Sequence, residues 1–68
     1  KTLNVHVPGL STRANIRVFD INGRLLVNRQ TTQANTALDV NRLASGVYFI
    51  KVDDISGNTI YQSKFVKQ

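Results

Sequence analysis

The sequence predicts an all-β fold in which six to seven short antiparallel strands form two sheets packed face to face. No window keeps a helical apolar period for long, whereas short runs of alternating apolar and polar residues recur along the 68 residues. Residues typical of turns separate these runs, as at Pro8-Gly9 and Asn22-Gly23. Because most runs are apolar on one face only, each sheet needs a second sheet to cover that face.

The first half of the chain contains three of these runs. Residues 3–7 alternate until Pro8-Gly9 ends the first strand, because proline has no backbone N–H to donate to a neighbouring strand. Residues 16–18 mark the second strand. Asn22-Gly23 tolerates the positive φ of a tight turn, and residues 25–27 then resume the alternation. The sequence therefore predicts a β-hairpin at this point.

The second half supplies the remaining strands. Residues 36–40 form a short strand, and residues 47–52 are a denser apolar run that suits the centre of a sheet. Residues 53–58 contain a second glycine turn, and the last strand extends from residue 59 to about residue 67. Residues 30–34 would supply the seventh strand, at a sheet edge.

Size and composition favour one globular domain. A chain of 68 residues buries only about 60% of the surface that it exposes when unfolded, and without cysteine it must rely on its sheet core. No signal peptide precedes the first strand, so we interpret residues 1–68 as a single domain from a longer chain. The formal charge of +5 would speed association with an anionic partner.

No motif indicates catalysis or metal binding. His6, the single histidine, lies on the polar side of its strand without a serine or carboxylate at a motif spacing. Asp53-Asp54 is expected in an exposed turn rather than in a sheltered acid–base pair. The hairpin at residues 20–24 is no EF-hand loop, since the chain has no glutamate. None of the four serines lies in the Gly-x-Ser-x-Gly motif that would mark a nucleophile; they are Ser11, Ser45, Ser56 and Ser63. We expect no cofactor, no metal and no catalytic residue.

The predicted hairpin carries a pair of opposite charges. Asp20 and Arg24 flank the turn at Gly23, so the hairpin would bring their side chains together across its base. An exposed pair of this kind contributes only about 0.2–1 kcal/mol. We interpret the three residues as structural.

Residues 43–48, with the sequence Leu-Ala-Ser-Gly-Val-Tyr, have a mechanical role in a sandwich. Leu43 would close the end of the core, and Gly46 would turn the chain sharply. Tyr48 would then bond its hydroxyl back to that turn, as in a tyrosine corner. A core tyrosine after an ordinary loop is the alternative. In both cases the role is architectural.

The basic residues are dispersed over almost every strand and turn, which is typical of a solvated surface. Nucleic-acid platforms on small β domains interleave such charges with exposed aromatic residues. Here most aromatic residues fall in apolar runs, and no nucleic-acid partner is expected.

The last strand mixes apolar and polar residues on both faces. Phe65 and Lys67 share one face, and Lys64 and Val66 share the other. Such a strand suits a sheet edge, where its unpaired backbone is open to a partner strand while Lys64 and Lys67 supply charge contacts. A strand-mediated homodimer would use the same edge. The alternative is an ordinary last strand with a basic, solvated tail.

Three segments together resemble a known pattern. The glycine hairpin at residues 20–24, the Leu-x-x-Gly-Val-Tyr entry at residues 43–48 and the basic, apolar strand at residues 64–68 occur in the order and at about the spacing of one family. This family is the C-terminal sorting domain of cargo of the type IX secretion system of Gram-negative bacteria. Two departures from the family pattern are noted. Family members commonly carry Pro-Asn-Pro just before the first strand, a position upstream of residue 1, and this sequence ends in Lys-Gln in place of a final Lys or Lys-Lys.

The resemblance implies a non-catalytic export signal with an Ig-like β-sandwich fold. Cargo with such a domain crosses the periplasm and is recognised by the outer-membrane translocon. At the cell surface a sortase-like peptidase removes the domain and joins the cargo to an anionic lipopolysaccharide. By this likeness the terminal signal comprises Lys64, Phe65, Val66, Lys67 and Gln68. The structural motif comprises Asp20, Gly23, Arg24, Leu43, Gly46 and Tyr48.

Two other functions fit the same sequence. An Ig-like accessory or adhesion module of an extracellular enzyme would share the fold, and its tail would be dispensable for export. A small basic nucleic-acid-binding domain would show an affinity that falls steeply with salt. Under the first interpretation, the attached cargo would be a larger surface protein, such as a protease.

Overall fold

The computed structural model describes residues 2–10 and 12–68, so Lys1 and Ser11, the latter dismissed above as a nucleophile, lie outside the described residues. The described residues form six strands and no helix, and the all-β prediction is confirmed. The strands are β1 (Thr2–His6), β2 (Ala14–Phe19), β3 (Leu25–Thr31), β4 (Asn35–Asp39), β5 (Gly46–Asp54) and β6 (Thr59–Lys67). This part of the chain accordingly contains no helix able to cross a membrane.

The strands form two antiparallel sheets, as expected for an Ig-like sandwich. The small sheet pairs β1 with β4, and the large sheet has the order β3-β2-β5-β6. The apolar run at residues 47–52 thus lies in an interior strand, β5, as predicted. The last strand, β6, lies at an edge of the large sheet, again as predicted.

The core lies between the two sheets and consists of the residues that alternate inward. Val5 and Leu38 come from the small sheet, and Ile16, Val18 and Val52 come from the large sheet. Full burial of one such side chain stabilises the fold by about 1.5–3 kcal/mol. The period-two pattern of the sequence therefore positions the strands, because a slip of one residue would turn these side chains to solvent.

The predicted seventh strand at residues 30–34 is not formed in the described part of the chain. Gln30 and Thr31 instead complete β3, and residues 32–34 lead across to β4 in the other sheet. The hydroxyls of Thr31 and Thr36 lie 2.8 Å apart and are hydrogen-bonded. This bond joins the two sheets where the chain passes between them. Residues 32–34 form the crossing segment, and the Ala34 carbonyl oxygen accepts a hydrogen bond of 2.8 Å from the Val7 N–H just before β4 begins.

The prediction that Asp53 and Asp54 lie in an exposed turn is wrong. Both residues belong to β5, where Asp53 is buried, with 5% of its surface accessible, and Asp54 is half-buried. Its carboxylate accepts a hydrogen bond from Arg17 Nη1 at 2.9 Å and another from the Thr59 hydroxyl at 2.8 Å. A buried carboxylate is tolerated when it is paired and hydrogen-bonded. With these hydrogen bonds Asp53 is accommodated in the strand, and β5 continues to Asp54, beyond the apolar run at residues 47–52.

Candidate recognition site at the end of the last strand

The last strand, β6, is hydrogen-bonded on one side only. It pairs with β5 from Thr59 to Lys67, and no strand of the described chain pairs with its other side. The backbone N–H and C=O groups on that side are therefore open to water or to a partner strand. All but two residues of β6 are exposed, the exceptions being the half-buried Phe65 and Lys67.

Phe65 holds the end of β6 against the core. It lies opposite Tyr48 of β5, and the two rings stack with centroids 5.4 Å apart and planes 24° apart. Phe65 also packs against the buried core residues. Stacked aromatic pairs contribute about 0.5–1.5 kcal/mol beyond the burial of their area. Of the five predicted signal residues, Phe65 therefore has a clear structural role.

Lys67 is also engaged in the fold. Its Nζ donates hydrogen bonds to the backbone carbonyl oxygens of Leu43 and, at 3.1 Å, of Asn41. Both carbonyls belong to the segment that precedes β5, and Lys67 lies opposite Gly46 in the strand register. The ammonium group thus fastens the last strand to the predicted Leu43–Tyr48 motif.

Lys64, Val66 and Gln68 have the opposite character. Lys64 and Val66 lie on the outer face of the large sheet, where Val66 is 61% exposed. Gln68 follows the strand and is exposed as well. These three side chains, together with the open backbone of β6, are the parts of the predicted signal that a partner can contact without disturbing the core.

The Leu43–Tyr48 motif has the geometry of a tyrosine corner. The Tyr48 hydroxyl donates a hydrogen bond of 2.5 Å to the carbonyl oxygen of Ala44, four residues earlier. Leu43 packs against the core. Gly46 has φ = 152°, a conformation that residues with a side chain rarely adopt. The bond that distinguishes a tyrosine corner from an ordinary loop is therefore present.

The hairpin between β2 and β3 is held by Asp20. Its carboxylate accepts hydrogen bonds from the backbone N–H groups of Asn22 and Arg24, each at 2.9 Å, and from Arg24 Nε at 3.1 Å. Gly23, with φ = 83°, lies in the left-handed region that glycine favours. The Arg24 N–H is the main cause that lowers the pKa of Asp20; desolvation opposes it, and the Asn22 N–H and the Arg24 charge add to the lowering.

The strand register brings all three predicted segments to one end of the large sheet. Phe19, at the end of β2, lies opposite Phe49, near the start of β5, so the Asp20 hairpin follows at this end. Lys67, at the end of β6, lies opposite Gly46, the first residue of β5. The hairpin and the terminal strand are separated by β5, whereas the Leu43–Tyr48 motif contacts the terminal strand directly.

The glycine turn predicted at residues 53–58 is formed between Asp54 and Asn58, but sequence reasoning missed that it has the same design as the Asp20 turn. Asp54 Oδ1 accepts hydrogen bonds from the backbone N–H groups of Ser56 and Asn58, each at 2.9 Å. The backbone bonds that close this turn also match those of the Asp20 turn. The signal was available in the sequence, because Asp-Ile-Asn-Gly at residues 20–23 recurs as Asp-Ile-Ser-Gly at residues 54–57.

Two aromatic residues are more exposed than the apolar runs suggest. Phe49 is 43% exposed and Tyr61 is 37% exposed. Phe49 lies on the outer face of the large sheet, whereas Tyr61 pairs with the buried Val52 and lies on the inner face. Because they face opposite ways, they do not form a joint platform for stacking bases. Within the described ranges, no three acidic, histidine or cysteine side chains lie together as a metal site requires.

Comparison with known proteins assigns the chain to a family. A family model described as "Secretion system C-terminal sorting domain" matches residues 1–68, which is the whole chain. Searches of curated proteins and of solved structures gave no significant match. The chain therefore belongs to the family of type IX secretion system C-terminal sorting domains.

Proposed function

We propose that this domain directs the export of an attached cargo across the outer membrane, and that the machinery recognises it through Lys64, Phe65, Val66, Lys67 and Gln68. The observation that carries the proposal is the position of these residues at the free edge of the large sheet. Family membership in itself implies export to the cell surface or beyond, through interaction with the type IX machinery.

Recognition by strand addition suits the geometry of β6. A partner strand that pairs with the open side of β6 gains main-chain hydrogen bonds, while side chains on the strand give specificity. Lys64 and Val66 project from the exposed outer face and would supply that specificity. Phe65 and Lys67 instead keep the strand in place through Tyr48 and the carbonyl of Leu43.

This division assigns two roles to the terminal signal. Lys64, Val66 and Gln68 would be read directly, and Phe65 and Lys67 would present them in a fixed register. The structural motif of Asp20, Gly23, Arg24, Leu43, Gly46 and Tyr48 would serve the same purpose from within the fold. The domain itself would perform no chemistry, as expected for a sorting signal.

The wider pathway is part of the proposal. Residues 1–68 would be the C-terminal domain of a larger secreted precursor that passes through the periplasm. A sortase-like peptidase would remove the domain at the cell surface, where the cargo would be joined to an anionic lipopolysaccharide. The strand-mediated homodimer stays a prediction that concerns the same edge of β6.

Substitutions in the full precursor test the proposal. Val66→Ser changes an exposed side chain of the proposed signal, 61% accessible. Ile55→Ser changes a similarly exposed apolar side chain, 69% accessible, in the turn that precedes β6. We expect Val66→Ser and removal of residues 64–68 to leave cargo in the periplasm, and Ile55→Ser to be exported normally. Immunoblots of periplasmic and surface fractions measure the distribution.

Two results would contradict this assignment. Normal surface delivery after removal of residues 64–68 would favour the accessory or adhesion module instead. Equal export defects in Val66→Ser and Ile55→Ser would show that general surface properties matter rather than the end of β6. A thermal melt of each purified variant separates an export defect from unfolding.

A further inference from the structure

A polar cleft of about 480 Å³ lies on the side of the sandwich that faces away from β6. It is bounded by β3, the other edge of the large sheet, and by β4, an edge of the small sheet, together with the segment that joins them. Its volume falls within the range of about 300–1,000 Å³ that is typical of ligand sites. This cleft plays no part in the function proposed above.

The charged side chains that line the cleft are basic. Arg13 and Arg29 line it, and none of its lining residues is acidic. Arg29 Nη1 donates a hydrogen bond of 3.0 Å to the carbonyl oxygen of Ala37, which fixes the guanidinium group and leaves its other N–H groups available. Arg13 is exposed and makes no ion pair with the residues described. Two guanidinium groups without a carboxylate partner suit carboxylate, sulfate or phosphate oxygens.

The neutral lining of the cleft is rich in groups that both donate and accept hydrogen bonds. The side-chain amides of Gln30 and Gln33 have no hydrogen-bond partner among the described residues, and Thr32 is exposed. Among the described residues that line the cleft, Ala37 alone contributes an apolar side chain and none is aromatic. The lining therefore suits a ligand that carries many hydroxyl groups rather than an apolar or aromatic ligand.

We propose that this cleft binds an anionic saccharide, with its carboxylate or sulfate groups on Arg13 and Arg29 and its hydroxyls on the neighbouring amides. The combination of guanidinium groups, amides and a hydroxyl in one cleft matches the charged and neutral groups of such a chain. The net charge of +5 would also draw the polyanion towards the domain. An acidic peptide shares the charge but offers the glutamine amides one backbone amide per residue, whereas each unit of a saccharide offers several hydroxyls.

Titration calorimetry with the 68-residue chain tests the proposal. The ligands are an oligogalacturonate, a heparin-derived oligosaccharide and a neutral dextran oligosaccharide of similar length. We expect binding of at least one anionic ligand and none of dextran. The first two arms tell carboxylate from sulfate recognition. Loss of one charge-assisted contact should lower the affinity of Arg13→Gln about tenfold.

Arg42→Gln is the matched control, because Arg42 is exposed, carries the same charge and lies outside the cleft. Its affinity should fall less than about threefold, since it changes only the net charge. Arg13→Lys keeps the charge without the planar fork and should also bind more weakly than the unchanged chain. Gln33→Ala removes a neutral contact and tests the cleft independently of charge.

Four results would overturn the proposal. The first two are that neither anionic saccharide binds, and that dextran binds as tightly as the anionic ligands. The third is that a polyglutamate of equal charge binds as tightly as the saccharides. The fourth is that Arg13→Gln and Arg42→Gln lose the same amount of affinity. Thermal melts should show that Arg13→Gln and Gln33→Ala remain folded. If Arg13→Gln unfolds, an unchanged affinity in Gln33→Ala would reject the site.

Discussion

The hydrogen bond from the Tyr48 hydroxyl to the Ala44 carbonyl should be measurable by a single substitution. Tyr48→Phe removes one oxygen atom and keeps the ring that stacks on Phe65. The residue is buried, with 7% of its surface accessible, so the ring's contribution to the core should be unchanged. The difference in stability therefore reports the hydrogen bond that closes the corner.

The expected loss is about 1 kcal/mol. A net intramolecular hydrogen bond contributes about 0.5–1.5 kcal/mol, and a partner left unpaired in the interior adds a desolvation cost. Ala44 is exposed, so water can satisfy its carbonyl oxygen in the variant and that added cost is small. For a domain of this size, 1 kcal/mol lowers Tm by about 4–8 °C.

Thermal unfolding followed by circular dichroism provides the assay, and Tyr61→Phe provides the control. Tyr61 lies on the neighbouring strand and is 37% exposed, and its hydroxyl has no hydrogen-bond partner in the described part of the chain. Its removal should change stability by less than about 0.5 kcal/mol. An equal fall in Tm for both variants, or no fall for Tyr48→Phe, would refute the structural role given to the corner.

Four further predictions concern the same end of the sheet and the part-buried ion pair of Arg17 and Asp53. Lys67→Gln should lose about 1 kcal/mol in urea unfolding, because two carbonyls lose their donor, whereas the exposed Lys64→Gln should match the unchanged chain. Gly46→Ala should cost about 1–3 kcal/mol because its φ of 152° strains a side chain, and an unaltered melt would count against this. Asp53→Asn should cost about 2 kcal/mol in guanidinium unfolding, and a loss of less than about 0.5 kcal/mol would contradict the structural role of the part-buried ion pair with Arg17. Because the folded protein lowers the pKa of Asp20, the ionised carboxylate stabilises the fold above its ordinary pKa, and this stability is lost as pH falls through the lowered value. The loss of unfolding free energy in Asp20→Asn, measured in urea, should therefore shrink between neutral pH and about pH 2. A loss that does not depend on pH would contradict this.

The features that sequence predicted well are local ones. The positions of the six strands follow from alternation and from turns such as Asn22-Gly23, since both signals lie within a few residues of the structure that they specify, whereas β2, β3 and β5 extend beyond the predicted runs. The edge position of β6 followed from its mixed faces. The hydrogen bond of Tyr48 spans only four residues, which is why the motif indicated it.

The features that sequence did not predict depend on distant pairing. Arg17 and Asp53 are separated by 36 positions and meet because β2 and β5 are neighbours, so the pattern around Asp53 alone suggested an exposed turn. Lys67 and Leu43 are 24 positions apart and meet because β6 ends beside the start of β5. The polar cleft likewise requires the two sheets to be placed together. The sequences of β3 and β4, taken strand by strand, contain no motif that indicates this cleft.

The repeated Asp-Ile-x-Gly turn offers a place for a reporter. The carboxylate bonds of Asp54 and the backbone bonds that close the turn lie between Asp54 and Asn58, and they leave the Ser56 side chain exposed. A fluorophore attached there through Ser56→Cys, which would be the single thiol in the chain, stands at the opposite end of β6 from Lys67. Such a label would follow the domain during transport while leaving the carboxyl end of the strand chemically untouched.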